Sequence, residues 1–310
     1  MSLEFLKLIA NNIEKIKELH LYALKYTHKT NESEFQCCNI NFNDDNELKN
    51  LFYDCFDYIS SKKFPHIERI DEYSGFNGDT ILSKISLSNP LIAEQYQEIK
   101  TAYDSSSDNI NVLEFNANAY VFKGKLPLDE KEYSIITLTA KKPFKKLEKS
   151  FSIFGKNIFK PIAEKILQLS NTIDILIIDD KLYLLNFSGE SILNLEKSYK
   201  KKCSETLEII SSQNIISDSS IELFQSTALH GHNPRKFLTF QQKRLDALSE
   251  QSVRERISHK FNIPLDEHTN KFSFRNEKEI EKLIKILCDK AALDPIDNSP
   301  REALNLREWN

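Results

Sequence analysis

Glycine is scarce, at six residues in a chain of 310. Loops that cradle phosphates with backbone amides need glycine where the backbone approaches the ligand or turns through positive φ. No G-x-G-x-x-G, P-loop or G-x-S-x-G pattern occurs, so dinucleotide, P-loop and α/β-hydrolase chemistry have no motif to rest on. Long apolar runs are also missing. Stretches such as Ile173–Ile178 fall far short of the ~20 residues needed to span a bilayer. The first residues, Met1-Ser2-Leu3-Glu4-Phe5-Leu6-Lys7, carry neither the basic start of a secretory signal nor a myristoylation motif. The chain is therefore expected to be cytoplasmic.

Cysteine pairs at metal or redox spacing are absent as well. The five cysteines, Cys37, Cys38, Cys55, Cys203 and Cys288, form no C-x-x-C, and an odd number does not describe a disulfide framework. Cys55, Cys203 and Cys288 fall on apolar helix positions, which predicts buried free thiols. Cys37 and Cys38 are adjacent, and on a strand they point to opposite faces.

What remains is an ordinary globular composition. Hydrophobic residues make up 40% and charged residues 28%, enough apolar surface to fold without disorder. Periodicity predicts a short helix at Leu3–Ile9, a central strand at Leu19–Tyr26 and a second strand at Phe35–Phe42. A helix capped by Asp44 or Asp45 carries Leu48, Phe52, Cys55 and Ile59 at helical spacing. His66–Ile70 reads as extended, and Pro90 opens an amphipathic stretch ending near Tyr103.

The polar stretch Tyr103–Asn109 reads as a linker. It divides the chain into an acidic N-terminal domain, 1–105, and a second region, 110–310. In that region β-like segments at 112–122, 133–140, 151–154, 173–178 and 182–185 precede a helix from about Glu190 to Ile210. Helices follow over Pro234–Phe261, then a small module at about 262–310 with a strand at Lys271–Phe274 and a helix at Glu277–Leu287. The expected class is α+β: a sheet-containing N-terminal domain, an antiparallel β-rich centre with a long helix, and a small helical C-terminal module.

Net charge, −4, conceals a strong asymmetry. Residues 1–140 sum to −8, residues 141–202 to +6 and residues 203–310 to −2, and within the last part Arg235–Lys260 carries +4. The basic band consists of Lys141, Lys142, Lys145, Lys146 and Lys149 after a strand, continued by Lys156, Lys160 and Lys165, then Lys197, Lys200, Lys201 and Lys202 on a helix. At about 100° per residue, the lysines of that helix face away from its apolar stripe of Tyr199, Cys203, Leu207 and Ile210. Flexible cations arranged this way hold phosphates without reading sequence. The second segment contributes Arg235, Lys236, Lys243, Arg244, Arg254 and Arg256. On a single helix, Lys236, Lys243 and Arg254 would share a face, and arginine suits phosphate because its fork binds two oxygens. A solvated helix face is the competing reading of both segments.

Two further constellations could carry chemistry. Asp179-Asp180-Lys181 unites paired acids with a lysine, as metal nucleases require, with Glu190 as a third candidate ligand. The same trio is an ordinary hairpin turn between two apolar strands, and no E-x-K follows. His230-Gly231-His232 offers two imidazoles, but no carboxylate or cysteine partners stand at ligand spacing nearby. No cofactor is implied.

One resemblance bears on function. The extended piece Tyr133–Pro143 ends in basic residues, the hairpin Ile173–Phe187 turns at Asp179-Asp180, and a helix bearing Tyr199-Lys200-Lys201-Lys202-Cys203 follows. Together with 261–295, this order resembles the KwaB-like family, the soluble component of the Kiwa anti-phage defence system. Phe187-Ser188-Gly189-Glu190 departs from the Phe-Glu pair that members tend to carry after the hairpin. The resemblance implies a non-specific DNA-binding effector that hinders phage replication or transcription without cutting. It also implies a membrane-embedded KwaA-like partner able to recruit the protein to the inner membrane face. A homo-oligomer is expected. A metal-dependent nuclease and a protein-interaction component without nucleic-acid contact remain the alternatives.

Overall fold

The computed structural model describes residues 2–29, 33–41, 44–75, 80–106, 115–140, 151–153, 159–161, 171–293 and 300–302. The chain divides into two compact units, Met1–Leu195 and Glu196–Asn310.

The first unit opens with α1 (Leu3–Asn11), capped by the Ser2 hydroxyl, which accepts from the Phe5 N–H. Strands β1 (Lys17–His28) and β2 (Ser33–Asn39) follow. Helix α2 (Asp45–Tyr58) begins where the Asp44 carboxylate accepts from the Asn46 N–H, as the sequence predicts. Next come β3 (Arg69–Glu72), β4 (Ile81–Ser86), α3 (Ala93–Asp104), β5 (Ala119–Leu128) and β6 (Lys131–Ala140). The short β7 (Phe151–Ile153) and β8 (Phe159–Pro161) form a ribbon of their own. The hairpin β9 (Ile175–Ile178) and β10 (Lys181–Leu184) leads into α4 (Ser188–Ile192).

Eight strands form one mixed sheet in the order β2-β1-β5-β6-β9-β10-β4-β3, parallel only between β3 and β4. Strand β1 lies inside the sheet, and its Leu21-Tyr22-Ala23-Leu24 run is buried on both faces. Helices α1 and α2 cover one face. Phe52 of α2 meets Phe122 of β5 with ring centroids 5.2 Å apart, over a core that includes Leu21, Ala23, Ile135 and Leu176. On the opposite face Tyr22 meets Tyr103 of α3 at 5.9 Å.

This sheet corrects the expected domain boundary. Strands on the two sides of 103–109 pair directly, Tyr22 with Val121 and Leu182 with Ile85. The polar stretch therefore connects α3 to β5 within one unit, and the division falls at Leu195 instead. Polar composition marks a loop, and only pairing decides whether that loop separates domains.

The second unit is helical. It contains α5 (Leu195–Ser212), α6 (Ile221–Leu229), α7 (Asn233–Lys236), α8 (Gln242–Ala247), α9 (Gln251–Phe261) and α10 (Glu277–Leu287). A ribbon of β11 (Ala291–Leu293) and β12 (Pro300–Glu302) follows. The helix expected from Glu190 to Ile210 is broken. Leu193 ends α4 and Asn194 takes left-handed φ of 49°, the backbone that commonly terminates a helix. The expected strand at Lys271–Phe274 reduces to bridges from Phe272 to Ile216 and Leu265. Nor is 262–310 a separate module. Ile263, Phe272, Leu283 and Leu287 pack in one cluster with Cys203, Leu207, Phe224 and Phe237.

All five cysteines are free and buried. Burial pushes the thiols of Cys37, Cys55 and Cys203 up to about 12 and raises that of Cys288 as well. Since the thiolate is the reactive form, the native protein should leave a disulfide-exchange reagent near pH 8 unconsumed. Five equivalents should react once denaturant unfolds the chain. Fast native reaction of any one thiol would contradict this burial.

Candidate nucleic-acid interface

Helix α5 turns Tyr199, Cys203, Thr206, Leu207 and Ile210 inward and leaves Lys200, Lys201 and Lys202 exposed, with Lys197 half-buried. Lys200 pairs with Glu196 one turn earlier at 2.7 Å. Exposed glutamates, Glu205 and Glu208, occupy the later turns. The basic character is thus confined to the first two turns. That is the end where unsatisfied backbone N–H groups already carry partial positive charge, so these lysines add to the helix dipole rather than offset it.

Helix α7 brings the start of the second basic segment against α5. Pro234 stands in its first turn, where a missing N–H costs nothing. Buried Asn233 holds the turn: its amide donates to the Thr227 carbonyl at 2.8 Å. Its side-chain oxygen accepts from Lys236 Nζ at 2.7 Å. Arg235 then places its guanidinium 5.4 Å from the centroid of the Tyr199 ring. This cation–π contact joins α7 to the first turns of α5. Arg235 accordingly lies against the inward side of the first turns of α5, while Lys197 and Lys201 stand about 160° around that helix from Tyr199. Tyr199 had been legible only as part of an apolar stripe. An aromatic two positions after one lysine and directly before three others is the signal for its second role.

The expected single helix over Pro234–Phe261 does not form. Backbone near its middle is drawn onto the end of α10, where Gln241 N–H donates to the Leu287 carbonyl and the Thr239 hydroxyl donates to the Cys288 carbonyl. These bonds compete with helix continuation. A second break follows α8. There the Ser249 hydroxyl donates to the Asp246 carbonyl at 2.6 Å. Lys236, Lys243 and Arg254 therefore stand on three different helices and share no face.

Two arginines of this segment hold the unit together. Arg254 donates to the carbonyls of Leu248, Ser249 and Asn270, closing the C-terminal end of α8. Arg244 pairs with Asp289 and donates to the Ile286 carbonyl at 3.1 Å. Lys243 and Arg256 are exposed on α8 and α9. Lys141, Lys142, Lys145, Lys146 and Lys149 lie outside the described residues.

The candidate acids of a nuclease site are dispersed. Asp179, at left-handed φ of 51°, accepts from Ser134 N–H at 3.0 Å and from Lys131 Nζ at 2.8 Å. Asp180 pairs with Lys181, whose ammonium holds the carboxyl below its ordinary range. Glu190 is buried and accepts from the Tyr73 hydroxyl at 2.7 Å. It sits beyond the far end of β10, because neighbouring Gly189 abuts Leu184, Ile175 and the Asp174 carbonyl. The four residues of β10 separate that end from the Asp180 turn by about 13 Å. No group of three or more potential metal ligands occurs among the described residues. His230 and His232 lie exposed in the α6–α7 connection. No helix among the described residues is long and apolar enough to cross a membrane.

Residues 115–294 match the family described as Kiwa protein KwaB-like. No curated protein and no solved structure matches the chain.

Proposed function

Because this chain belongs to the KwaB-like family of Kiwa proteins and so to anti-phage defence, we propose that it acts there by binding phage DNA without sequence preference, through the basic face of α5 and α7. The observation that carries this reading is the Arg235–Tyr199 contact. It brings Arg235 against α5, the helix that carries Lys197, Lys200, Lys201 and Lys202, while Asn233 holds Lys236 in place. Lysines and arginine in such a cluster track phosphate oxygens and displace counterions.

The effector hinders replication or transcription by occupancy and does not cut. In support, Asp179 is engaged by Lys131 and a backbone amide, and Glu190 stands at the opposite end of the hairpin. A membrane-embedded KwaA-like protein is its partner and recruits it from the cytoplasm to the inner membrane face. The effector acts as a homo-oligomer, and Lys141–Lys149, Lys243 and Arg256 extend the DNA track.

A salt titration tests the central claim. With six cations engaged, the slope of log affinity against log salt on duplex DNA should approach about −5. Two unrelated duplexes should give the same line. Absence of binding at about 50 mM salt, or strong preference for one duplex, would overturn it. Plasmid incubated with magnesium or manganese should stay supercoiled. Cutting that Asp180→Ala abolishes would establish the nuclease instead.

A further inference from the structure

The eight-stranded sheet ends in two edges, β2 and β3, and they differ in how they are guarded. Strand β3 is four residues long and carries Arg69, Asp71 and Glu72, with Arg69 paired to Asp71 at 3.0 Å and Glu72 to Lys84 at 2.8 Å. Short length and charge are the usual protections of an edge. Strand β2 reads Ser-Glu-Phe-Gln-Cys-Cys-Asn, with neither lysine nor proline.

Register identifies which backbone groups β2 presents outward. Tyr22 stands opposite Asn39, and Ile40 N–H donates to the Leu21 carbonyl. Opposed pairs alternate between bonded and non-bonded in an antiparallel ladder. Ser33, Phe35 and Cys37, opposite His28, Tyr26 and Leu24, therefore direct their N–H and C=O groups away from β1. The other side of the ladder agrees, since Tyr26 exchanges its backbone bonds with the Asn118 side chain on the β5 side. Among the described residues no strand pairs with this outer edge.

The side chains of Ser33 and Phe35 stand on the sheet face that α3 covers. Between them and α3 runs an open groove of about 460 Å³. Glu94, Glu98, Thr101 and Ser105 line its helical wall. Glu94 and Glu98 are one turn apart, about 6 Å along the helix. Alternate side chains of a strand repeat at about 6.7 Å. Phe35, within 6.2 Å of Tyr26 and 5.8 Å of His28, gives the groove an aromatic floor.

We propose that the outer edge of β2 and the adjoining acidic groove dock an extended segment of a partner protein, with lysine or arginine at alternate positions. Main-chain bonds to Ser33 and Phe35 would add it as a further strand, the mode by which many peptides join a sheet edge. Every second side chain would then enter the groove, where the carboxylates of α3 and the Phe35 ring receive cations. The same carboxylates repel phosphate, so this surface is separate from the α5–α7 face and does not depend on the DNA-binding reading.

The test uses the full-length protein and a fluorescein-labelled synthetic peptide alternating lysine with threonine, followed by anisotropy at low salt. Saturable binding is expected, lost by about tenfold or more in Glu94→Lys/Glu98→Lys. N-methylation of alternate amides keeps the peptide's charge but removes its strand bonds, and it should cost about as much. Glu267→Lys, on the second unit, should change nothing. Equal binding of the N-methylated peptide, or of the double variant, would overturn the proposal. So would absence of peptide binding accompanied by a changed sedimentation coefficient in Glu94→Lys/Glu98→Lys, which would assign the surface to a second copy of this chain. A double variant whose DNA affinity changed while peptide affinity did not would overturn it equally.

Discussion

Reversing Lys197, Lys201 and Arg235 to glutamate is expected to abolish DNA binding at physiological salt. Lys197 and Lys201 stand on the first two turns of α5, and Arg235 contacts Tyr199 of the same helix. Each removed phosphate contact lowers the salt slope by about 0.9, so neutralising the three with glutamine should flatten it by nearly 3. Reversal adds repulsion to that loss. The fold should tolerate it: Lys201 is exposed, and the ring contact of Arg235 is worth about 1 kcal/mol. Arg235→Lys should keep most of the affinity, since it keeps the charge. Glu205→Gln and Glu208→Gln, later on the same helix, should strengthen binding slightly or leave it unchanged. Unchanged affinity in the triple glutamate variant, measured alongside an unchanged melting profile, would move the interface off the α5–α7 face.

Gly189→Val is expected to destabilise the first unit by about 3 kcal/mol, the upper range for overpacking a filled core. A Cβ on Gly189 would lie 2.8 Å from Ile175 Cγ1, 2.9 Å from Leu184 Cδ2 and 3.1 Å from the Asp174 carbonyl. Ile175 and Leu184 are core residues of neighbouring strands and cannot swing aside, and the carbonyl belongs to the backbone. Helix propensity works the other way, by about 1 kcal/mol for alanine over glycine, so Gly189→Ala should cost less than valine does. The surrounding latch raises the stakes. The Asp174 carboxylate accepts from Ala140 N–H at 2.6 Å and from the Ser188 hydroxyl at 2.6 Å. Pushing α4 away from the hairpin would strand that buried charge. For a unit of this size the loss should lower Tm by about 10 °C. A valine variant melting within a degree or two of the parent would show that α4 can move aside freely.

Local rules made much of the fold legible in advance. The cap at Asp44, the helix over Glu277–Leu287 and the Asp179-Asp180 turn follow from side chains acting within a few residues of their own backbone. Strand β1 could be placed inside the sheet because its apolar run leaves no polar face. The failures share a cause of the opposite kind. A linker at 103–109, a module at 262–310 and a continuous helix from Pro234 were inferred from composition and spacing, and each was overruled by partners far away in sequence. Those partners are β5 for β1, the α5–α8 core for α10, and the end of α10 for Gln241.

The candidate site divides in the same way. The sequence by itself determined that the chain carries two basic segments, lacks the glycine motifs of nucleotide chemistry and resembles the KwaB-like family, because charge and motif are properties of residue order. Tertiary structure alone decided which partners the residues of those segments meet. Arg235 comes to the helix that carries Lys197–Lys202 because its guanidinium finds an aromatic ring more than thirty residues away. Arg244 and Arg254, identical to Arg235 in charge, instead satisfy carbonyls at helix ends. A cation's role depends on the acceptors within its reach, and those are set by packing.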